Sequence, residues 1–399
     1  MNKDEGSPTP NSARRLRLAI PGVVVMVVLL CAACGAVTSS HTPTSTEHAI
    51  PAPVRTRLNR LVTQYAATNH DPGILVEVWS PMGHYLEEVG VSDLVTGAAI
   101  SANMQYEIGS QTKTFVSLLI LQLVAESKVG LGDHISKWIP GVPNGDQITI
   151  RELLKNTSGL GDVLSAPAIE KKWEAGKVCT PDELLAAGAT LPPEAAPGTK
   201  WIYSNYGYDL LGRVVELATH QSFATVVQQR IVRPLGLHRT YFPTSETSGS
   251  GLTAPFTHGY GFIAPTAAPT ASDDISTYSL SCGWAAGAIV STLSDMRAWA
   301  KAFATGALLK PAVWKEAQLD LVPIPGAPFS LQWGLGFAEL PGRFLGWGGD
   351  TLGFSTATMY SAQHQTTIGI VVNKQNNSPS NIPFFHNLAM AMFPSPGES

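Results

Sequence analysis

One short polar motif in this sequence combines residue types suited to nucleophilic chemistry. Ser110 and Lys113 lie three residues apart in YEIGSQTKTF, just before the apolar run FVSLLILQLV. Residues i and i+3 share a helix face, so the lysine amine can approach the serine hydroxyl. A desolvated lysine has a lowered pKa and can assist proton removal from serine. Taken alone, the pair also arises by chance, and a serine near a helix start is usually a cap.

A second motif offers a tyrosine and an asparagine. Tyr203 and Asn205 form the chain's only Tyr-x-Asn, within PGTKWIYSNYGYDLLGRVVE. The tyrosine could act as a general base, its phenolate favoured by a neighbouring ammonium, and the asparagine could donate to a substrate carbonyl. A buried loop aromatic is the simpler interpretation of Tyr203 by itself.

A third motif places two glycines at an apparent strand end. In LGWGGDTLGFST, Trp347 precedes Gly348 and Gly349, and Asp350 follows them. Paired glycines let the backbone come close to a ligand. An ordinary turn between strands is the simpler interpretation of this motif alone.

The elements around these motifs indicate a sheet built from both chain ends. VRTRLNRLVTQYAATN has the apolar spacing of an amphipathic helix, and ILVEVWS with HYLEEVGV predicts a hairpin. Near the C-terminus, WGLGFAEL, RFLGW, STATMYSA and TTIGIVVN are strand-like, and NIPFFHNLAMAMF predicts a closing helix. We therefore expect an antiparallel sheet flanked by helices, with a helical region inserted in the middle of the chain.

The N-terminus is typical of an export signal. Three arginines precede an apolar run, which predicts a signal peptide over residues 1–33. Cys34 follows in a context that resembles a bacterial lipobox, although Cys31 stands where leucine is usual. A cleaved secretory signal or an uncleaved anchor helix would fit the same run, which is short for a span of about 20 residues. Residues 34–53 are a polar linker rich in Ser, Thr and Pro, and 54–395 form the folded domain.

Composition narrows the function classes. The chain has 399 residues and a net charge of −4, and no basic stripe lies outside the N-terminus, which argues against nucleic-acid binding. The ten histidines show no metal-ligand spacing, and Gly-x-Ser-x-Gly is absent. Cys179 and Cys282 are the cysteines of the domain, and a disulfide and two buried thiols both remain open.

Taken together and in this order, the motifs resemble those of the serine β-lactamase-related family. That family holds class C β-lactamases, D-alanyl-D-alanine carboxypeptidases and related bacterial esterases. The likeness covers roughly residues 54–395 and includes GAIVSTLSDMRAWAKAF as well as the three motifs. It implies a β-lactamase/transpeptidase-like fold, α/β plus an all-α region, and a serine hydrolase without a metal or organic cofactor.

The resemblance also implies roles for single residues. Ser110 is the acylated nucleophile, Lys113 supports proton transfer and orients it, and Tyr203 is the general base for acylation. Asn205 holds the substrate or Lys113. The backbone N–H groups of Ser110 and Asp350 form the oxyanion hole.

Trp347 departs from the family's β-lactamase pattern. It occupies the first position of the Lys-Thr-Gly or His-x-Gly strand motif, with Gly348 and Gly349 behind it. Lysine there would meet a substrate carboxylate, and tryptophan carries no charge. This resembles the esterase and acyltransferase branch, and it argues against efficient β-lactamase activity.

Several alternatives stay open from the sequence. The substrate is a small ester or a peptidoglycan-type peptide, and the protein is exported, either membrane-bound through a lipid anchor or anchor helix, or secreted. A non-catalytic envelope binding protein of the same fold and a weak β-lactamase are the alternatives. Loops 161–180 and 243–281 are expected to shape the pocket. Five aromatics are candidates for cleft or core: Trp201, Tyr206, Tyr208, Trp284 and Trp333.

Overall fold

The folded part begins earlier than the sequence indicates. The computed structural model of the protein describes residues 48–243, 249–261, 267–375 and 381–394. Cys34 and the predicted signal peptide lie outside the described residues. Helix α1 starts at Ala52, and Ile50 before it is buried, so the last residues of the predicted linker 34–53 already belong to the fold.

The strands form one large sheet and one small one. In the described residues they are β1 (Gly73–Ser80), β2 (Gly83–Gly90), β3 (Tyr106–Glu107), β4 (Val290–Ser291), β5 (Val322–Pro323), β6 (Gln332–Trp333), β7 (Ala338–Leu340), β8 (Phe344–Asp350), β9 (Ser355–Ser361) and β10 (Thr366–Val372). Eight of them make an antiparallel sheet in the order β2-β1-β10-β9-β8-β7-β6-β5, while β3 pairs with β4. Ile74 of β1 pairs with Val372 of β10, which confirms a sheet built from both chain ends.

The region between the two halves of the sheet is largely helical, as predicted. The helices are α1 (Ala52–Asn69), α2 (Thr112–Ala125), α3 (Ile150–Leu154), α4 (Pro167–Glu174), α5 (Pro181–Ala189), α6 (Asn205–Thr219), α7 (Phe223–Val227), α8 (Arg233–Leu235), α9 (Trp284–Gly287), α10 (Leu293–Ala304), α11 (Pro311–Leu319) and α12 (Ile382–Met392). None of the helices in the described ranges is both long and apolar enough to cross a bilayer.

Helices cover both faces of the sheet. Every residue of β9 and β10 is buried, which requires packing on each side. The two terminal helices pack together, with the Tyr65 ring stacked on Phe384 at 4.0 Å between centroids. Arg57 Nη2 also donates to the Ala391 carbonyl at 2.9 Å. Helix α10 packs against β8, β9 and β10.

Helix α2 runs through the centre of the domain. It is buried along most of its length, as expected for a helix that is apolar on all sides. The Phe115 ring stacks on Trp299 at 3.8 Å, and Trp299 Nε1 donates to Thr114 Oγ1 at 2.9 Å. This packing fixes the position of the polar residues at the helix start.

The two domain cysteines form a disulfide. Cys179 and Cys282 have Cα atoms 4.8 Å apart and lie 103 residues apart in sequence. Cys179 comes just before α5, and Cys282 comes just before α9. Of the two alternatives that the sequence left open, the structure therefore shows the bridge rather than two thiols.

Candidate active site

Ser110 lines a cleft at the start of α2. It lies in a 3-10 turn, Gly109–Gln111, that leads directly into the helix. Gly109 has a φ of +54°, a left-handed conformation that favours glycine. Just before it, the Ile108 N–H donates to the Ile289 carbonyl at 3.0 Å. The structure thus places Ser110 between a strand pair and a buried helix.

Lys113 is fully buried beside Ser110. Its Nζ lies 3.1 Å from Ser110 Oγ, 2.6 Å from Asn205 Oδ1 and 2.9 Å from the Ala286 carbonyl oxygen. Burial lowers the pKa of Lys113 to about 7, against the opposing charges of nearby aspartates. A large fraction of the amine is therefore neutral at physiological pH and carries a lone pair.

Tyr203 lies against the same lysine. Lys113 Nζ is 4.7 Å from the centre of the Tyr203 ring. Burial raises the pKa of Tyr203 above its ordinary value, although hydrogen bonding with the Ser110 and Trp347 side chains acts in the opposite direction. The phenol therefore stays protonated at neutral pH. The burial of Tyr203 therefore works against the phenolate expected from the sequence.

Asn205 holds Lys113 and is held in turn by an aspartate. Its Oδ1 accepts from Lys113, while its Nδ2 donates to both carboxylate oxygens of Asp162 at 2.9 and 3.1 Å. Asp162 was not singled out from the sequence. It also caps a 3-10 turn through the Leu164 N–H, a local role that gives no sign of the contact with Asn205.

Two glycines bring the proposed oxyanion-hole segments into contact. A Cβ on Gly349 would lie 2.7 Å from the Ser110 nitrogen, and one on Gly109 would lie 2.8 Å from the Asp350 nitrogen. The backbones around Ser110 and Asp350 can approach so closely only because both positions are glycine. The two N–H groups assigned from the family resemblance are therefore neighbours in space.

Thr356 links the Ser110 and Asp350 segments through hydrogen bonds. Its Oγ1 lies 3.1 Å from the carbonyl oxygens of both Ile108 and Gly349 and accepts from Gln111 Nε2 at 2.7 Å. Thr356 lies on β9 directly opposite Gly349. No local motif marks Thr356, because only strand register shows that it faces the nucleophile turn.

Trp347 belongs to an aromatic cluster beside the nucleophile. Its ring lies 6.4 Å from Tyr203 and 4.7 Å from Trp333, the latter contact edge to face. Trp201 lies a further 6.2 Å from Trp333. These contacts hold the large apolar ring of Trp347 in place beside the nucleophile.

The cleft has a volume of about 580 Å³ and is mainly apolar. Leu164 and Trp173, from the predicted loop 161–180, line one part of it, and the segment 324–329 lines another. The second segment was not predicted. No described residue of 243–281 lines the cleft. Asp350 is the one charged side chain among the described lining residues.

The remaining candidate aromatics divide between cleft and core. Trp201 lines the cleft, whereas Tyr206, Tyr208 and Trp284 are buried. Within the described ranges, no three His, Cys, Asp or Glu side chains are placed to hold a metal ion.

Comparison with known proteins agrees with this geometry. Residues 58–386 match the family model described as beta-lactamase. Penicillin-binding protein 4* of Bacillus subtilis (strain 168) is 24% identical over 303 residues, which cover 74% of this chain and 66% of that protein. Protein flp of Staphylococcus aureus (strain N315) is 29% identical over 197 residues, 47% of this chain and 38% of that protein. The chain spans less than two thirds of the length of either relative.

Two solved structures share the fold over nearly their whole length. A D-stereospecific amidohydrolase from Streptomyces sp. superposes with a TM-score of 0.73 and 26% identity, covering 86% of this chain and 98% of that chain. D-amino acid amidase from Ochrobactrum anthropi SV3 has a TM-score of 0.70 and 22% identity, covering 85% and 97%. Given the family match and the shared fold, this chain belongs to the beta-lactamase family, a family of serine hydrolases.

Proposed function

We propose that this protein is a serine hydrolase that forms an acyl-enzyme on Ser110 and cleaves uncharged esters. The observation that carries the proposal is the buried amine of Lys113, 3.1 Å from Ser110 Oγ, with a pKa lowered to about 7. A general base works best when its pKa lies near the operating pH.

Acylation begins with proton transfer to the neutral lysine. A neutral amine has two N–H donors and one lone pair. The Asn205 Oδ1 and Ala286 carbonyl accept the two N–H groups, so the lone pair faces the Ser110 hydroxyl. As the Ser110 O–H bond breaks, the proton moves to Lys113 and Oγ bonds to the substrate carbonyl carbon.

The carbonyl oxygen then becomes an oxyanion. The backbone N–H groups of Ser110 and Asp350 would donate to it from segments that are already in contact. Tyr203, a protonated phenol between Lys113 and the cleft, hands a proton to the leaving alcohol and recovers one from the lysine. A water molecule then attacks the acyl group on Ser110, and the same residues pass the protons in the reverse direction. The carboxylic acid leaves and the Ser110 hydroxyl is restored.

The apolar cleft supports an uncharged substrate. β-Lactams and D-alanyl-D-alanine peptides both carry a carboxylate. The described lining residues offer no cation to pair with it, since Asp350 is the one charged group among them. Trp347 packs on Trp333 and presents an aromatic ring instead. Ester cleavage is thus favoured over carboxypeptidase or β-lactamase activity. The intact contact between Ser110 and Lys113 disfavours the alternative of a non-catalytic binding protein.

Hydrolysis of D-amino acid amides is a second candidate. The Streptomyces amidohydrolase shares the fold at 26% identity and is named for D-stereospecific action. An amino acid amide has an ammonium but no carboxylate, which suits a cleft whose charged side chain is the carboxylate of Asp350.

We also propose that the protein works outside the cytoplasm, attached to the membrane through an acylated Cys34. The N-terminal pattern and the Cys179–Cys282 disulfide support export, because disulfides persist in oxidising compartments. The Cys34→Ala variant should no longer be found in the membrane fraction, and globomycin should block removal of the signal peptide in the wild type. Unchanged mass and unchanged partitioning under both treatments would exclude the lipid anchor.

The acylation mechanism predicts a Ser110-dependent ester hydrolysis that rises with pH. With p-nitrophenyl butyrate, kcat/KM should reach half its maximum near pH 7, since Lys113 must lose its proton to act as the base. Ser110→Ala should lower the rate by at least roughly 10⁴-fold. Ser136→Ala, an exposed serine outside the cleft lining, is the matched control.

The same assays should include D- and L-phenylalanine amide, because ammonia release from the D form alone would support the amidase candidate. Hydrolysis that survives in Ser110→Ala, or a kcat/KM that falls from pH 6 to 8, would contradict the mechanism.

Trp347 predicts the substrate preference. Trp347→Lys adds a cation where a substrate carboxylate would lie, and a charge-assisted hydrogen bond is worth about 1.5–3 kcal/mol, or roughly ten- to a hundredfold in rate. The ratio of nitrocefin acylation to butyrate ester hydrolysis should rise by that factor. Trp347→Phe keeps an apolar ring and should keep the ester preference. Rapid nitrocefin turnover by the wild type without ester cleavage would show that this assignment of Trp347 is wrong.

A further inference from the structure

The segment 281–289 connects the domain disulfide with the catalytic lysine. Helix α9 lies in its middle and is a single turn of 4 residues, Trp284–Gly287. A helix this short has little stability of its own, so contacts on either side must fix its position. The Ala286 carbonyl oxygen of this turn lies 2.9 Å from Lys113 Nζ. The position of α9 therefore decides whether the lysine keeps this hydrogen bond.

The end of the segment is bound to residues on either side of the nucleophile. The Ile289 N–H donates to Thr112 Oγ1 at 3.2 Å, and the Ile289 carbonyl accepts from the Ile108 N–H at 3.0 Å. Thr112 follows Ser110 in the chain and Ile108 precedes it. These two hydrogen bonds tie the residue after α9 to the nucleophile turn.

The start of the segment is bound to the chain just before α5. Cys282 forms the disulfide with Cys179, and the Cys179 N–H donates to Ser281 Oγ at 2.8 Å. Both cysteines are buried. Helix α9 is thus held at one end by a covalent bond and at the other by the nucleophile turn.

The backbone between these two anchors is strained at Trp284. Its φ is +24°, a value that bulky residues seldom adopt. Its ring packs on α6 and α7, where a Cβ on Gly212 would lie 3.5 Å from it and the Phe223 ring lies 6.1 Å away. Strained conformations persist only where the surrounding structure fixes them, and they concentrate at functional sites. Releasing one anchor would let Trp284 relax and would turn α9 away from the lysine.

Helix α9 acts on the lysine through a backbone oxygen. It contributes no charged side chain. The titratable groups near Lys113 come from other parts of the chain, and they are Tyr203, Tyr208, Asp162 and Asp209. None of them belongs to the segment 281–289. A change in this segment therefore alters a hydrogen bond to the amine and leaves the charged groups in the protein.

We propose that the disulfide and Trp284 together position the Ala286 carbonyl against Lys113 for acylation. The inference rests on the proposed function. The ammonium that forms when the lysine takes the serine proton has three N–H donors, and the Ala286 carbonyl accepts one of them. A hydrogen bond from an ammonium is stronger than one from a neutral amine. Loss of this carbonyl therefore disfavours the ammonium more than the neutral amine.

The first test compares the wild type with the double variant Cys179→Ala, Cys282→Ala in the p-nitrophenyl butyrate assay. Without the bridge, the plateau of kcat/KM should fall several-fold, because the lysine lone pair is no longer directed at the serine. The half-maximum should move to lower pH by about half a unit or more, because the ammonium has lost an acceptor. Labelling by a fluorophosphonate should slow by the same factor in a single turnover.

The second variant keeps the disulfide and changes the other element. Trp284→Phe shortens the ring that reaches Gly212, so the plateau and the half-maximum should change in the same directions by a smaller amount. Asp295→Asn is the matched control for a loss of stability. This buried acid outside the cleft lining accepts from the Arg239 N–H and the Thr240 hydroxyl, so the variant should lose Tm without moving the half-maximum.

Two results would overturn the proposal. One is a folded cysteine variant whose plateau is unchanged and whose half-maximum stays within about 0.2 pH unit of wild type. The other is a Tm loss like that of Asp295→Asn with an unmoved half-maximum, which makes the bridge purely structural. If the cysteine variant does not fold, an unchanged pH profile of Trp284→Phe decides against the proposal. Activity that survives in Ser110→Ala would instead refute the proposed function itself, so the two failures are distinguishable.

Discussion

The burial of one lysine amine organises this structure. A charged ammonium without water is costly, and burial lowers the pKa of Lys113 to about 7, so that a neutral amine forms near neutral pH among three oxygen atoms. These oxygens come from the turn before α2, from the start of α6 and from α9. Any shift of one of these elements exposes the amine or removes an acceptor. The buried, mainly apolar surface of α2 and the Cys179–Cys282 bridge next to α9 both resist such shifts.

The second constraint is the contact between two backbone segments. The nucleophile turn and the end of β8 touch at Gly109 and Gly349, where no Cβ fits. Thr356 links the carbonyl groups on both sides of this contact. Two N–H donors on such segments are held in place before a substrate arrives, which is the condition under which an oxyanion hole contributes most. The chemistry and the sheet are therefore coupled through β8 and β9.

Local motifs made much of the fold and of the site predictable. The pairing of Ser110 with Lys113 follows from helix spacing, and the sheet built from both chain ends follows from strand patterns, so both are visible along the chain. The contacts of Asp162 and Thr356 are not visible in this way, because their partners lie on other elements. The direction of the Tyr203 pKa shift cannot be read from a motif for a related reason, because burial sets it. The wall at 324–329 comes from a connection without any motif.

The central claim concerns the charge of Lys113, and NMR measures it directly. In protein labelled with ¹³C at lysine Cε, the Lys113 resonance can be assigned by its loss in Lys113→Met and followed from pH 5 to 11. A titration midpoint of about 7 is the result that this account predicts. A midpoint near the ordinary lysine value of 10.5 would show an ammonium at neutral pH and would contradict it.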